Sequence, residues 1–255
     1  MARKRRDTRL PAPFLRHVGL REDAGMGRGG YPFDQPWLKG LDLAFTTPVT
    51  VITGENGTGK STLIEAIAAL AGYDPAGGGK GYRAVDHEDA LESSGAPLAA
   101  LLRAAWLPKV SDGWFFRAES FFSVARYLDA AGSDVANFLS HSHGEGFLRF
   151  FEERVARQGL YLMDEPESAL SPHRLIELMT RLAEIQRTAS AQVIVATHAP
   201  MLMAIPGARL LEMTRGGPVE TTLRQTRHFH LLSAFAADPE GFVAAAIGGD
   251  EDALG

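Results

Sequence analysis

Apolar residues along this chain follow two rhythms: short, dense runs rich in β-branched residues, and longer stretches with apolar positions three and four apart. The runs predict strands and the longer stretches predict helices. Val49–Thr53 (V-T-V-I-T) is short and apolar enough to be a buried strand, and Leu160–Pro166 (L-Y-L-M-D-E-P) and Gln192–His198 (Q-V-I-V-A-T-H) read as apolar strands ending in polar residues. Residues 14–20 (F-L-R-H-V-G-L), the alternating Leu41–Phe45 and the aromatic Trp114–Ala118 add three more. Ala208–Met213 and Pro218–Leu223 flank Arg215, Gly216 and Gly217, which is the turn chemistry of a hairpin. Helical spacing appears over Thr62–Leu70, with Gly72 placed to stop the helix. The Ala- and Leu-rich stretch Pro97–Trp106, residues 121–130 and Phe147–Arg157 are read as helices as well. Ser171 and Pro172 form a helix start, with N-cap and proline in their preferred places. That helix carries Leu175, Ile176, Leu178, Met179, Leu182 and Ile185 on its expected inner face.

Three of these strands end in residues that carry chemistry. Val49–Thr53 runs into Gly54–Ser61, which reads G-E-N-G-T-G-K-S, a phosphate loop at a strand-to-helix turn. Gly54, Gly57 and Gly59 allow positive φ, so the backbone N–H groups of Glu55, Asn56, Thr58 and their neighbours can close on a phosphate. The helix N-terminus adds a field that favours the anion. Lys60 can span two phosphates, the Ser61 hydroxyl can ligate Mg²⁺, and Thr62 opens the helix. Leu160–Pro166 ends in the carboxylates Asp164 and Glu165. Opposite a phosphate loop, Asp164 can hold Mg²⁺ while Glu165 orients or deprotonates an attacking water. Gln192–His198 delivers Thr197 and His198 to the same edge, where His198 can meet the γ-phosphate of ATP.

Composition narrows the setting. The chain has 255 residues, 45% hydrophobic and 22% charged, which is ordinary globular content and enough for a substantial core. A net charge of −5 argues against a whole-surface nucleic-acid binder, though local basic patches stay open. The absence of cysteine removes disulfides, zinc-thiolate sites and a thiol nucleophile, and fits a cytoplasmic protein. No apolar run approaches a membrane span, and the basic start M-A-R-K-R-R lacks the apolar core of a signal peptide. Residues 1–13 are read as a flexible basic terminus, Gly25–Gly30 as a linker, 74–90 as a polar loop, and the end of the chain, 226–255, as a helix followed by an acidic tail, partly without fixed structure from Ala234 on. Tyr31 or Phe33 could stack on a base or simply pack.

The order G-E-N-G-T-G-K-S, Y-L-M-D-E-P, S-A-L-S and A-T-H resembles the nucleotide-binding domain of ABC-type ATPases over about residues 14–225. That resemblance implies a P-loop NTPase α/β fold: a central, mostly parallel sheet, an N-terminal antiparallel β portion and a small helical lobe at about 90–150. It implies ATP and Mg²⁺ as ligands. The family places a signature segment a little over twenty residues before the acid pair, and here H-S-H-G-E-G stands there. Ser142, Gly144 and Glu145 then take the places of the family's Ser, second Gly and Gln, and His143 replaces its first Gly. Where the family has a Gln that contacts Mg²⁺ and water, this chain has Glu119. The sequence is most similar to the soluble, stand-alone members near the recombination-repair and chromosome-maintenance branch. Only about 104 residues separate Lys60 from Asp164, without heptads, so no coiled-coil arm fits.

The resemblance further implies a head-to-tail homodimer. Each ATP would lie between Gly54–Thr62 of one chain and Ser142–Glu145 of the other, with the helix near Gly146 aimed at the γ-phosphate and Ser168–Ser171 along the contact. Closure on ATP and release after hydrolysis would drive an unidentified protein or nucleic-acid partner, with DNA repair or maintenance as one setting. The alternative of an energy-coupling subunit requires a membrane partner. Transfer of phosphate to a small acceptor would need an Arg-rich lid, whereas Asp164, Glu165 and His198 suit water.

Overall fold

The computed structural model describes residues 10–24, 29–80, 95–118, 143–155 and 157–250. The basic N-terminal arm, Glu119, the helix expected at 121–130 and Ser142 lie outside the described residues.

Six strands form the central sheet: β3 (Val49–Thr53), β5 (Gly113–Arg117), β6 (Leu160–Asp164), β7 (Gln192–Ala196), β8 (Arg209–Thr214) and β9 (Gly217–Glu220), in the order β5-β6-β7-β3-β8-β9. All neighbours are parallel except the β8–β9 hairpin. A second sheet is antiparallel, with β1 (Leu15–Leu20) between β2 (Asp42–Ala44) and β4 (Leu102–Trp106). The fold is therefore α/β, with a mostly parallel centre and an antiparallel N-terminal portion.

Both faces of the central sheet are covered, which is why its strands read as unbroken apolar runs rather than alternating ones. Val49, Val51, Tyr161, Met163, Val193 and Val195 face one core, against α2 (His143–Val155) and α3 (Pro172–Thr188). Ile52, Leu160, Leu162, Ile194 and Ala196 face the other, against α1 (Lys60–Ala71) and the small sheet. A short helix α4 (Pro200–Met203) follows β7, and α5 (Arg227–Ala237) and α6 (Pro239–Gly248) end the described chain.

The two sheets are tied by one buried side chain. Gln192 Oε1 accepts the backbone N–H groups of Phe14 and Leu15 at 2.8 and 2.7 Å, and its Nε2 donates to the Leu15 carbonyl at 3.0 Å. Gln192→Leu strands buried backbone groups, and we expect it to cost about 3 kcal/mol. A urea melt of the variant that matches the parent within about 0.5 kcal/mol would remove this tie from the account.

Three expectations are corrected. Pro97–Trp106 is not a helix: a 3-10 turn, Ala96–Ala100, gives way to β4, whose pairing with β1 overrides the helix propensity of its alanines. The helix placed at Phe147 already runs from His143, so Gly144, Glu145 and Gly146 are helical rather than a loop before it; Glu145 in the first turn suits the helix dipole. Ile176 points outward, 45% exposed, because α3 buries only a stripe through Leu178, Leu182 and Ile185. The described residues after Thr226 form α5 and α6, through Gly248, with N-caps at Thr226 and Asp238. Of the segment expected as a helical lobe, about 90–150, the described residues hold the 3-10 turn Ala96–Ala100, β4 and β5 of the two sheets, and the start of α2.

Candidate nucleotide site

Parallel register brings the chemistry to one edge. Asp164 stands level with Arg117 on one side and Ala196 on the other, and Ala196 stands level with Ile52 of β3. The C-terminal ends of β3, β5, β6 and β7 therefore open together, where open parallel sheets bind their ligands.

The turn after β3 has the backbone that its glycines allow. Gly54, Gly57 and Gly59 have φ of 141°, 76° and 97°. A side chain at Gly54 would meet the Met213 carbonyl, and one at Gly59 would meet the Trp37 indole. Glu55, Asn56 and Gly57 are exposed at the tip, and Thr58 is pinned back by its hydroxyl on the Glu55 carbonyl at 2.8 Å. Lys60, only 4% exposed, folds over the loop and donates from Nζ to the Gly54 and Glu55 carbonyls at 2.8 and 3.1 Å. Burial holds its ammonium below the usual lysine range, against the pull of Glu165, Asp164, Glu55 and Glu167. Tyr31 lies beside the same turn, its hydroxyl 3.0 Å from Thr62 Oγ1, while Phe33 packs against the core.

Ser61 and Asp164 meet, with Ser61 Oγ donating to Asp164 Oδ1 at 3.1 Å. Sequence reasoning missed what lies behind them. Arg117, at the end of β5, pairs with the buried Glu65 of α1 at 2.7 Å and reaches Asp164 Oδ2 at 3.9 Å. Glu65 also accepts the backbone N–H of Gly95. Ser61, Arg117, Ala118, Asp164, Glu165 and Ser168 line a cleft of about 240 Å³.

Burial pushes the Asp164 carboxyl from 3.8 up to about 6, against the opposing pull of Arg117 and Ser61. An acid raised by folding favours the folded state in its protonated form. That contribution is full at low pH and is lost as pH rises through about 6. Asp164→Asn should therefore raise the melting temperature of the metal-free chain at pH 7.5 by several degrees, for a gain of about 1–3 kcal/mol. The gain should shrink as pH falls below that value. Thermal melts in chelator check this, and an Asn variant that melts lower than the parent at pH 7.5 contradicts it.

Glu165 adopts a left-handed backbone, φ 47°, at the start of the 3-10 turn Pro166–Ala169. This conformation is costly for a residue with a side chain. It is held by the Glu165 N–H on the Ala196 carbonyl at 2.9 Å and by Ser168 Oγ–H on the Glu165 carbonyl at 2.9 Å. His198 Nε2 lies 3.5 Å from Glu165 Oε1, so the carboxylate and the imidazole face each other at the mouth of the cleft. Glu167 was overlooked in the sequence: its Oε1 accepts the His198 backbone N–H at 2.6 Å and fixes the turn after β7. The only hint was its place two residues after the acid pair. Thr197 does not reach outward; it is buried, and its hydroxyl accepts from Ala199 N–H at 3.0 Å. Gly144 and Glu145 lie in the first described residues of α2, and Glu145 approaches Arg174 of α3 at 3.9 Å.

The residues fit a polyphosphate and its divalent ion. Glu167 Oε2 and His198 Nε2 are buried without a hydrogen-bond partner, and His198 Nε2 faces the site that Lys60 caps. The described residues hold no group of three or more His, Cys, Asp or Glu that would cage a metal. Ser61 and Asp164 alone suit Mg²⁺, which takes few protein ligands and completes its shell with phosphate and water.

Two family models match the chain. An AAA-domain model covers residues 33–99, and a second AAA-domain model, named for an AbiEii toxin of a type IV TA system, covers residues 137–204. No curated protein matches. Among solved structures, the chain is similar to an ABC transporter of the metal-chelate type in an inward-facing conformation, at 18% identity and a TM-score of 0.44, over 74% of this chain and 78% of that one. It is also similar to CbiO1 from Clostridium perfringens, part of an ABC transporter complex, at 15% identity and a TM-score of 0.47, over 89% of this chain and 96% of that one. The first family match spans the phosphate loop, and the second spans the acid pair and His198. Both halves of the site are so matched by AAA-domain models and assembled at one sheet edge, the arrangement of an ATPase with a P-loop fold.

Proposed function

We propose that this ATPase hydrolyses Mg-ATP with Glu165 as the base for water, and that it closes head to tail on a second copy of itself to act on a protein or nucleic-acid partner. The carrying observation is the facing pair, Glu165 and His198, at the open side of a phosphate loop whose lysine is buried. Lys60 would hold the β- and γ-phosphates, and Gly54–Thr62 would wrap them with N–H groups. Ser61 and Asp164 would hold Mg²⁺, with Glu119 as a further candidate. That ion would neutralise phosphate charge as it develops. His198 would donate to the γ-phosphate.

The dimer reading rests on what the chain leaves open. Glu55, Asn56, Gly57, Ser168 and Ser171 are exposed, so the loop and the acid-pair turn offer one uncovered face. A second copy would bring Gly144 and Glu145, at the start of α2, against that face, together with Ser142 just before them in the sequence. Light scattering of the Glu165→Gln protein with and without Mg-ATP tests it. A doubling of mass with nucleotide, reversed by its removal, is expected. A mass that stays monomeric at saturating ATP would leave hydrolysis intact and dismiss closure.

A further inference from the structure

Beyond the phosphate loop and the acid pair, a residue that neither family match reaches touches the site. Helix α5 begins after Thr226, which is buried and caps it by accepting the Phe229 N–H. Its first two residues lean on the nucleotide machinery. Arg227 Nη1 lies 3.5 Å from Glu55 Oε1 of the phosphate loop. His228 Nε2 lies 2.9 Å from His198 Nδ1, with the rings 5.1 Å apart at 50°.

Two imidazole nitrogens at hydrogen-bond distance share one hydrogen, and the rest of the site decides which ring supplies it. His198 Nε2 faces the carboxylate of Glu165 at 3.5 Å. A bare nitrogen there would oppose that oxygen and any phosphate oxygen beside it. Nε2 therefore carries hydrogen, and in the neutral His198 ring that leaves Nδ1 as an acceptor, which only a donor can face. Burial, first of all, holds His228 below the usual histidine range, which favours its neutral ring. The His198 main chain is already fixed by Glu167, so the remaining freedom is that of the ring, and His228 is the partner that its Nδ1 meets.

We propose that His228 is a positioning residue for ATP hydrolysis: its Nε2–H holds His198 in the Nε2–H tautomer, so that the C-terminal helix sets the donor that meets the γ-phosphate. The proposal rests on the reading that His198 meets that phosphate. It also gives α5 a task, since a shift of this helix would release both the ring and the Glu55 contact.

The test is steady-state phosphate release from Mg-ATP by the full chain, with kcat and KM taken separately. His228→Phe keeps ring bulk without the donor, and kcat is expected to fall about 10-fold with KM within about twofold. His228→Gln offers an amide N–H at similar reach and should recover most of the loss. His198→Ala should lose at least as much, and adding His228→Phe to it should cost nothing more, since the two act as one. Full activity of His228→Phe beside an impaired His198→Ala overturns the proposal and leaves the role of His198 standing. So does a loss that Gln fails to recover, or one that persists on top of His198→Ala. An unimpaired His198→Ala overturns the reading beneath both. Should Phe at 228 unfold the chain, the tautomer is read on the parent by the ¹⁵N shifts of the histidine rings, with the His198 signals identified by their absence from His198→Ala. A protonated Nε2 and bare Nδ1 support the proposal, and the reverse overturns it.

Discussion

Phosphate release by the Glu165→Gln protein is expected to fall at least about 100-fold, while ATP affinity stays within a few-fold of the parent. Gln keeps the size and shape of the side chain, and the left-handed turn that presents it is held by backbone contacts to Ala196 and Ser168. What it removes is the oxygen able to take a proton from water in the cleft lined by Ser61, Asp164 and Ser168. Lys60 and the loop amides that would hold the phosphates are untouched, so the loss should appear in kcat rather than KM. Phosphate-release kinetics and equilibrium binding with a fluorescent ATP analogue separate the two quantities. Turnover close to the parent would take the role of base away from Glu165.

Lys60→Ala is expected to weaken ATP binding about 100-fold. The lysine is buried under the site, and its Nζ already bonds the Gly54 and Glu55 carbonyls, so its direction is set before any ligand arrives. A charge-assisted bond from a pre-directed, desolvated cation is at the strong end of the range. The variant also leaves Asp164, Glu165, Glu55 and Glu167 without the cation that sits among them, so the field at the loop turns more negative. That change opposes a polyphosphate directly. Titration calorimetry with Mg-ATP measures the effect, with a thermal melt to show that the chain remains folded. Parent-like affinity would mean that the phosphates are held elsewhere.

Much of this site was legible because its parts are local. A β-branched run followed by glycines at fixed spacing specifies strand, turn and helix start within thirteen residues, 49–61, and β3 has the expected bounds. β6 and β7 begin where their apolar runs begin, and end at Asp164 and Ala196, two residues short of the stretches read as strand and strand end. The Ala-rich stretch at 97–106 misled because alanine favours helix in isolation, whereas pairing with β1 was worth more. A weak signal was present, since Leu102 is buried, Arg103 exposed and Ala104 half-buried in strand rhythm.

Glu65, Arg117, Glu167 and His228 left no such trace. Each is a single polar residue in an unremarkable local setting, and each acts only because a different element lies beside it. Glu65 and Arg117 are 52 residues apart, and His198 and His228 are 30 apart, beyond the reach of any periodicity.

The sequence by itself settled which turn would take the positive-φ backbone of its glycines and which carboxylates and imidazole would stand at strand ends, because steric freedom at glycine and burial of apolar runs are properties of neighbours in the chain. The tertiary structure alone decided the order of the strands, the ion pair behind Asp164 and the helix that closes on His198. Those depend on which surfaces meet once both faces of the sheet are covered, and hydrogen bonds and charges at that range have no counterpart in local spacing.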